Sequence, residues 1–205
     1  MDLVDAAMDL DTKHKDVLTE EAIQLSGLAN PNSVAQIKDW IKAMEDLDIE
    51  SLNKKALPDV MEQIQSDKVK DFLSLRAELS KTSVKKYEAM KRCVCSDGRA
   101  KGLFQFYGTR TGRFAGRLIQ LQNLPQNHMD DITEVRELVK QNNYEHLSLI
   151  QDNISGTLSE LIRTAIIPAP GHKFLVCDFS AIEARVIAWF AKEEWVLEEF
   201  RGDGL

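Results

Sequence analysis

At 205 residues and 43% hydrophobic, the chain is long enough to bury one core or two small ones and has the balance of a soluble globular protein. No apolar run approaches a membrane span, and Met1-Asp2-Leu3-Val4-Asp5 lacks the basic start and apolar stretch of a signal peptide, so a membrane partner is excluded and a cytoplasmic location is expected. The net charge of −7 argues against a nucleic-acid partner until its distribution is read: from Lys81 to Arg117 ten Lys and Arg stand against Glu88 and Asp97, a local +8 that leaves −15 on the rest.

Met1 to Ser26 carries Leu3, Ala7, Leu10, Val17, Leu18, Ala22 and Leu25 at helical spacing, and Gly27 is placed to stop the helix. His14 lies on the same stripe, where a packed histidine is the expectation rather than a ligand. Asn30-Pro31-Asn32 reads as a turn and Ser33 as the N-cap of a helix to Met44. A polar connector from Asp46 to Asn53, anchored by Ile49, leads to a modest helix through Met61 and Ile64. A long amphipathic helix is then predicted from Asp67 to Arg92, with Val69, Phe72, Leu73, Arg76, Leu79, Ser83, Tyr87 and Met90 recurring at three and four.

From Gly98 onward glycines punctuate short Phe/Tyr-rich strands around Leu103 to Tyr107, which puts a domain boundary near residues 95 to 100. The chain is thus read as a helical region, 1–97, and a mixed region, 98–205. Gln126 to Leu158 shows one helical pattern, Ile132, Val135, Leu138 and Val139, with Asp130 or Asp131 near its start, and no chemistry. Cys93, Cys95 and Cys177 are odd in number and lack the spacing of a zinc site, so they are taken as reduced structural thiols, the last inside a buried strand. The fold class is α+β, mostly helical.

The run Lys173-Phe174-Leu175-Val176-Cys177-Asp178-Phe179-Ser180-Ala181-Ile182-Glu183-Ala184-Arg185 holds most information. Lys173 to Phe179 reads as a short apolar strand, and Ser180 to Ala191 as a helix with Ile182, Val186, Ile187 and Phe190 inward. Asp178 at the strand end suits Mg2+ together with substrate phosphates, and suits equally a helix-start residue complementing the dipole. Ser180-x-x-Glu183 has the spacing of a capping box, in which Glu183 reaches back to the cap amide.

Three further blocks precede this run in order: Thr111-Gly112-Arg113-Phe114, Leu121-Gln122-Asn123-Leu124-Pro125, and Leu161-Ile162-Arg163-Thr164-Ala165-Ile166-Ile167-Pro168. Together they resemble the polymerase domain of family A DNA polymerases, the bacterial DNA polymerase I type. The family's first catalytic motif, Asp-Tyr-Ser-x-Ile-Glu-Leu-Arg, is matched closely, with Phe179 for the Tyr and Ala184 for the Leu. The long Gln126 to Leu158 connection resembles the bacteriophage-type branch.

This resemblance implies a helical thumb followed by a partial antiparallel palm sheet with flanking helices. It also implies primer-template DNA and dNTP as partners. Asn32-Ser33-Val34-Ala35-Gln36 looks like the start of the thumb helix, with Ser33 facing a phosphate. Lys81 would pair a phosphate of the primer strand, and Thr82 and Ser83 would donate to another. Arg113 and Gln122 would face the minor groove near the primer end, Asn123 would support that surface, and Arg163 would stand on the helix leading into the palm. Asp178 and the Phe179 carbonyl would hold two Mg2+ ions, Glu183 with Ser180 would lie at the incoming nucleotide as a gate against a 2′-hydroxyl, and Arg185 would buttress the site.

The family's fingers helix and second catalytic aspartate are expected beyond Leu205, in a following region or a second chain. The chain alone is therefore expected to bind primer-template DNA without polymerising. Two other readings stay open: a non-catalytic DNA-binding or assembly module derived from such a polymerase, and a Mg2+-dependent nuclease using Asp178 and Glu183 with Glu193 or Glu194.

Overall fold

The computed structural model describes residues 2–53, 55–81 and 84–202. Thr82 and Ser83 lie outside these residues. The chain divides into two compact units, one through Ile166 and one from Ile167 on.

In the first unit the stripe of apolar residues folds as one helix, α1 (Asp2–Ser26), about 37 Å long at 1.5 Å per residue. It ends where expected: Gly27 takes φ 72°, a conformation only glycine adopts without strain, and returns its N–H to Ile23 O at 2.7 Å. The C-terminal half of α1 offers Ala22 to a core made with Ile37 and Ile41 of α2 (Val34–Glu45), Val60 of α3 (Leu57–Gln63), and Val69, Phe72 and Leu73 of α4 (Asp67–Leu79). Ser33 caps α2 as predicted, its hydroxyl accepting from Gln36 N–H at 3.5 Å.

The N-terminal half of α1 packs Leu3, Val4, Ala7 and Leu10 into a second core. Its other walls are Tyr87, Met90 and Cys93 of α5 (Lys85–Cys93), Val135, Leu138 and Val139 of α6 (Ile132–Lys140), Leu147 of α7 (Tyr144–Ile150), and Ile154 and Leu158 of α8 (Ile154–Glu160). One helix therefore serves both cores, which are stabilised by apolar burial on opposite ends of α1. Tyr87 is fully buried and donates its hydroxyl to Leu158 O at 2.7 Å. Burial pushes its pKa up, so it stays a neutral donor. Tyr87→Phe strands the Leu158 carbonyl and is expected to lower unfolding free energy by about 1–3 kcal/mol. Urea denaturation measures this, and an unchanged midpoint would show that the bond contributes nothing.

The predicted helix from Asp67 to Arg92 is in fact two. α4 stops at Leu79, and α5 begins at Lys85. At the break Ser80 turns its hydroxyl onto Ala77 O at 2.8 Å, and the sequence there, Ser80-Lys81-Thr82-Ser83, is rich in Ser and Thr, which favour caps and turns over helix interiors. Two short helices, α7 and α8, were not anticipated, although each has a clear starting signal in its asparagine. Asn143 accepts from His146 N–H at 3.0 Å and Asn153 from Gly156 N–H at 2.9 Å.

The sheet is small. β1 (Phe104–Gln105) pairs antiparallel with β2 (Ala115–Gly116), in the register Phe104 to Gly116 and Gln105 to Ala115. With the helices this makes a mostly helical α+β fold. Among the described residues no helix is long and apolar enough to cross a membrane.

The second unit holds α9 (Ile182–Ala191) and α10 (Glu194–Glu199) after a segment, residues 173–179, with no strand assigned. Here two expectations fail. The segment is not a buried strand, since Leu175, Val176 and Phe179 are 82%, 90% and 78% exposed, and Cys177 is exposed as well. Ile182, Val186, Ile187 and Phe190 of α9 are also exposed. A strand is stabilised by a neighbour that takes its N–H and C=O groups, and no other segment among the described residues pairs with this one. A unit of this size has too little apolar cover to close a core, and Ala188 is its one buried residue among those described.

Candidate nucleic-acid interface and catalytic motif

The hairpin and the loop after it form one surface of the first unit. The turn between β1 and β2 is closed by Thr109, whose hydroxyl accepts from Arg113 N–H at 2.9 Å, and by Gly108 N–H on Arg113 O at 3.0 Å. Arg113 is exposed on this turn. Beyond β2 the chain passes Leu118 and Gln120, both at positive φ (54° and 53°), a conformation unusual for non-glycine residues and strained for a bulky one. It then enters a 3-10 turn, Leu121–Asn123, carrying exposed Gln122 and Asn123. The Gln122 amide lies directly against Gly116: a Cβ there would stand 2.2 Å from it, so only glycine allows the approach. Asn123 donates to the Gln120 side chain at 3.2 Å.

Arg163 fixes this loop. From the 3-10 turn Leu161–Ala165 its guanidinium donates to Leu124 O at 2.8 Å and Pro125 O at 2.5 Å. Two bonds from one planar fork hold the backbone on which Gln122 and Asn123 stand, an arrangement lysine could not copy. The structure thus brings Gln122, Asn123 and Arg163 together. Lys86 adds a strut, donating to Ile119 O at 2.8 Å.

The basic cluster is largely engaged in its own surface. Lys81 pairs with Glu78 at 2.6 Å and donates to Asn153 Oδ1 at 3.1 Å. Lys91 meets Asp5, Lys101 meets Asp97, Arg92 meets Glu88, and Arg117 meets Gln105. Exposed pairs of this kind contribute at most about 1 kcal/mol, so each can be exchanged for a stronger anion. Glu78 and Asn153, the residues that hold Lys81, were not singled out in the sequence. The i,i+3 spacing of Glu78 and Lys81 is the signal that points to the first. Ser33 stands elsewhere, at the head of α2 in the α1–α4 core.

In the second unit Asp178 is exposed on the segment before α9, next to the Phe179 carbonyl. The capping box expected from Ser180 and Glu183 is not the observed start of the helix. The N-cap is Ala181, at φ 51° and without a side-chain bond, while Glu183 lies in the first turn. Arg185 donates its Nε to the Ser180 carbonyl at 2.8 Å across the same turn, in which Ala181 is left-handed. Its Nη1 donates to Phe200 O at 3.0 Å, and its guanidinium lies 4.3 Å from the centre of the Phe200 ring. Arg185 therefore joins the turn after Asp178 to the end of α10. Glu193, weighed as a metal ligand, accepts from Trp195 Nε1 at 3.0 Å. Among the described residues no group of three or more His, Cys, Asp or Glu is placed to hold a metal.

Compared with known proteins, residues 3–204 match the model of DNA polymerase family A, and the chain belongs to that family. It is 49% identical to a DNA polymerase of Bacillus phage SP02 over 205 residues, which are all of this chain and 32% of that protein. The chain thus spans about a third of the length of this curated relative. No solved structure matches it.

Proposed function

We propose that this chain serves template-directed DNA synthesis, with residues 1–97 as a thumb and 98–205 as the first part of a palm that ends after the first catalytic motif. The observation that carries this reading is the loop held by Arg163, which displays Gln122 and Asn123 beside the Arg113 hairpin. Hydrogen-bond donors fixed on a rigid backbone meet the acceptors that every correct base pair offers at nearly the same place in the minor groove, so they sense geometry without reading sequence. Lys81, Thr82 and Ser83, with Ser33 at the helix start, contact phosphates and set the register of the duplex.

The donor set at the first motif, the Asp178 carboxylate and the Phe179 carbonyl, is hard oxygen exposed to solvent, the kind that fits Mg2+. Two such ions, when bound with a second carboxylate from a following region or second chain, supply Lewis-acid stabilisation of nucleotidyl transfer. Asp178 holds and orients, Arg185 keeps its turn in place, and Glu183 with Ser180 borders the sugar of the incoming dNTP.

Binding to primer-template DNA is expected to be sequence-independent and to weaken steeply with salt. Lys81→Ala should reduce the slope of log affinity against log salt by about one unit. Fluorescence anisotropy over a salt series measures both. Affinity that does not change with salt removes the proposed groove.

A further inference from the structure

His14 is 8% exposed on α1, and its Nδ1 lies 3.0 Å from the Tyr144 hydroxyl of α7. Its Nε2 is buried without a hydrogen-bond partner. So is Oε1 of Glu78 on α4, and the two atoms face each other at 4.0 Å. Buried polar atoms are nearly always satisfied, so a facing pair left open calls for an explanation. The other carboxylate oxygen, Oε2, holds Lys81 at 2.6 Å. One carboxylate therefore stands between the unpartnered Nε2 of an imidazole and the lysine proposed to meet a DNA phosphate.

A neutral imidazole has one N–H, whereas an imidazolium donates from both nitrogens. We propose that His14 and Glu78 are positioning residues for Lys81: a proton taken from solvent at His14 makes a donor that claims the Glu78 carboxylate, and Lys81 is released to reach a DNA phosphate. This rests on the reading of Lys81 as a phosphate contact.

The charged groups acting on the ring are Glu78 of α4, Asp11 and Glu21 of α1, and Lys81, and none comes from α5 or α6. Asp11 is itself paired with Lys15 at 2.6 Å. Tyr144 faces the ring from α7, and Asp71 of α4 with Asp152 and Asn153 ahead of α8 line the same cleft. Burial holds the His14 pKa below its ordinary value, against the pull of the carboxylates. The ring is thus neutral at neutral pH, and the released state appears as pH falls below the usual histidine range.

The test compares the chain with Lys81→Ala at fixed salt, so that the difference in primer-template affinity isolates the share due to Lys81. From about pH 7.5 to about pH 5.5 that share is expected to grow about two- to fivefold, the size of one partly exposed ion pair. In His14→Gln it stays at the low value, and in Glu78→Gln it stands at the high value at both pH. A share that does not change with pH in the parent chain, or that Glu78→Gln fails to raise, overturns the proposal.

NMR titration of His14 supplies a readout without DNA, with Glu78→Gln lowering its pKa and Lys81→Ala raising it. Should Lys81→Ala leave affinity unchanged at every pH, the phosphate-contact reading fails. The NMR titration then decides the coupling alone, and a His14 titration identical in all three chains removes the pair. Glu78→Gln is nearly isosteric and carries the test even where His14→Gln does not fold.

Discussion

On the proposed role of Asp178 as a metal ligand, Asp178→Asn placed in a full-length polymerase that contains this chain is expected to lower primer extension by about 10³-fold and to leave primer-template affinity within about twofold, because metal coordination would supply several kcal/mol of transition-state stabilisation. The structure makes this a clean test. Asp178 is exposed and belongs to neither core, so Asn is expected to change stability by no more than about 0.5 kcal/mol. The loss therefore reads on chemistry. Single-turnover extension with dNTP and Mg2+ measures it, and extension unchanged by the substitution would show that the first motif is not catalytic here.

On the proposed role of Glu183 as a gate, Glu183→Ala in the same setting is expected to lower the ratio of kcat/KM for dNTP over rNTP by about 10²-fold, since an obstruction to the 2′-hydroxyl would be removed. The spacing Ser180-x-x-Glu183 left capping and gating as rivals. The structure weighs on the first, since Ala181 and not Ser180 stands at the N-cap and Arg185 occupies the Ser180 carbonyl. What Glu183 offers the helix is a first-turn carboxylate complementing the dipole, about 0.3–1 kcal/mol. A dNTP/rNTP ratio that stays constant while only the melting temperature falls would leave the helix role and remove the gate.

The family was legible because its signal is local and ordered: four blocks, each recognisable from its own residues, in the right sequence. The helices with strong apolar stripes or clear caps were legible for the same reason, as α1 with Gly27 and α2 with Ser33 show. Periodicity misled where it ran through Leu79 to Ser83. The apolar residues kept helical spacing on both sides of the gap, whereas the intervening Ser80-Lys81-Thr82-Ser83 has the Ser/Thr content that favours caps over helix interiors. α7 and α8 are only seven residues each, too short for an apolar period to show, so their asparagine caps were the available clue.

The misreading of residues 173–179 is of another kind. Alternating or continuous apolar side chains report a preference for burial on a pleated surface, and that preference is realised only where a neighbouring strand exists. The composition of Phe174 to Val176 was read correctly as β-forming, yet composition has no access to the partner. The struts of the loop were equally hidden. Arg163 and the Pro125 carbonyl are 38 residues apart in sequence, and no spacing rule connects them.

Serving both cores gives α1 an order of events. It is made before its partners, and the walls of its N-terminal core extend to α8, so that core cannot close until residues near Leu158 have been synthesised. At about 5–20 residues per second the apolar stripe of Leu3, Val4, Ala7 and Leu10 waits roughly 10–30 s on the ribosome for its partners, while the α2–α4 core can assemble on the other half well before. Such contacts across more than a hundred residues slow the search for the native state and leave an exposed stripe in the nascent chain. The charged residues within and beside this stripe, Asp2, Asp5, Asp9, Lys13 and Asp16 among them, keep it flanked by charge during the wait, the role of gatekeepers against premature association.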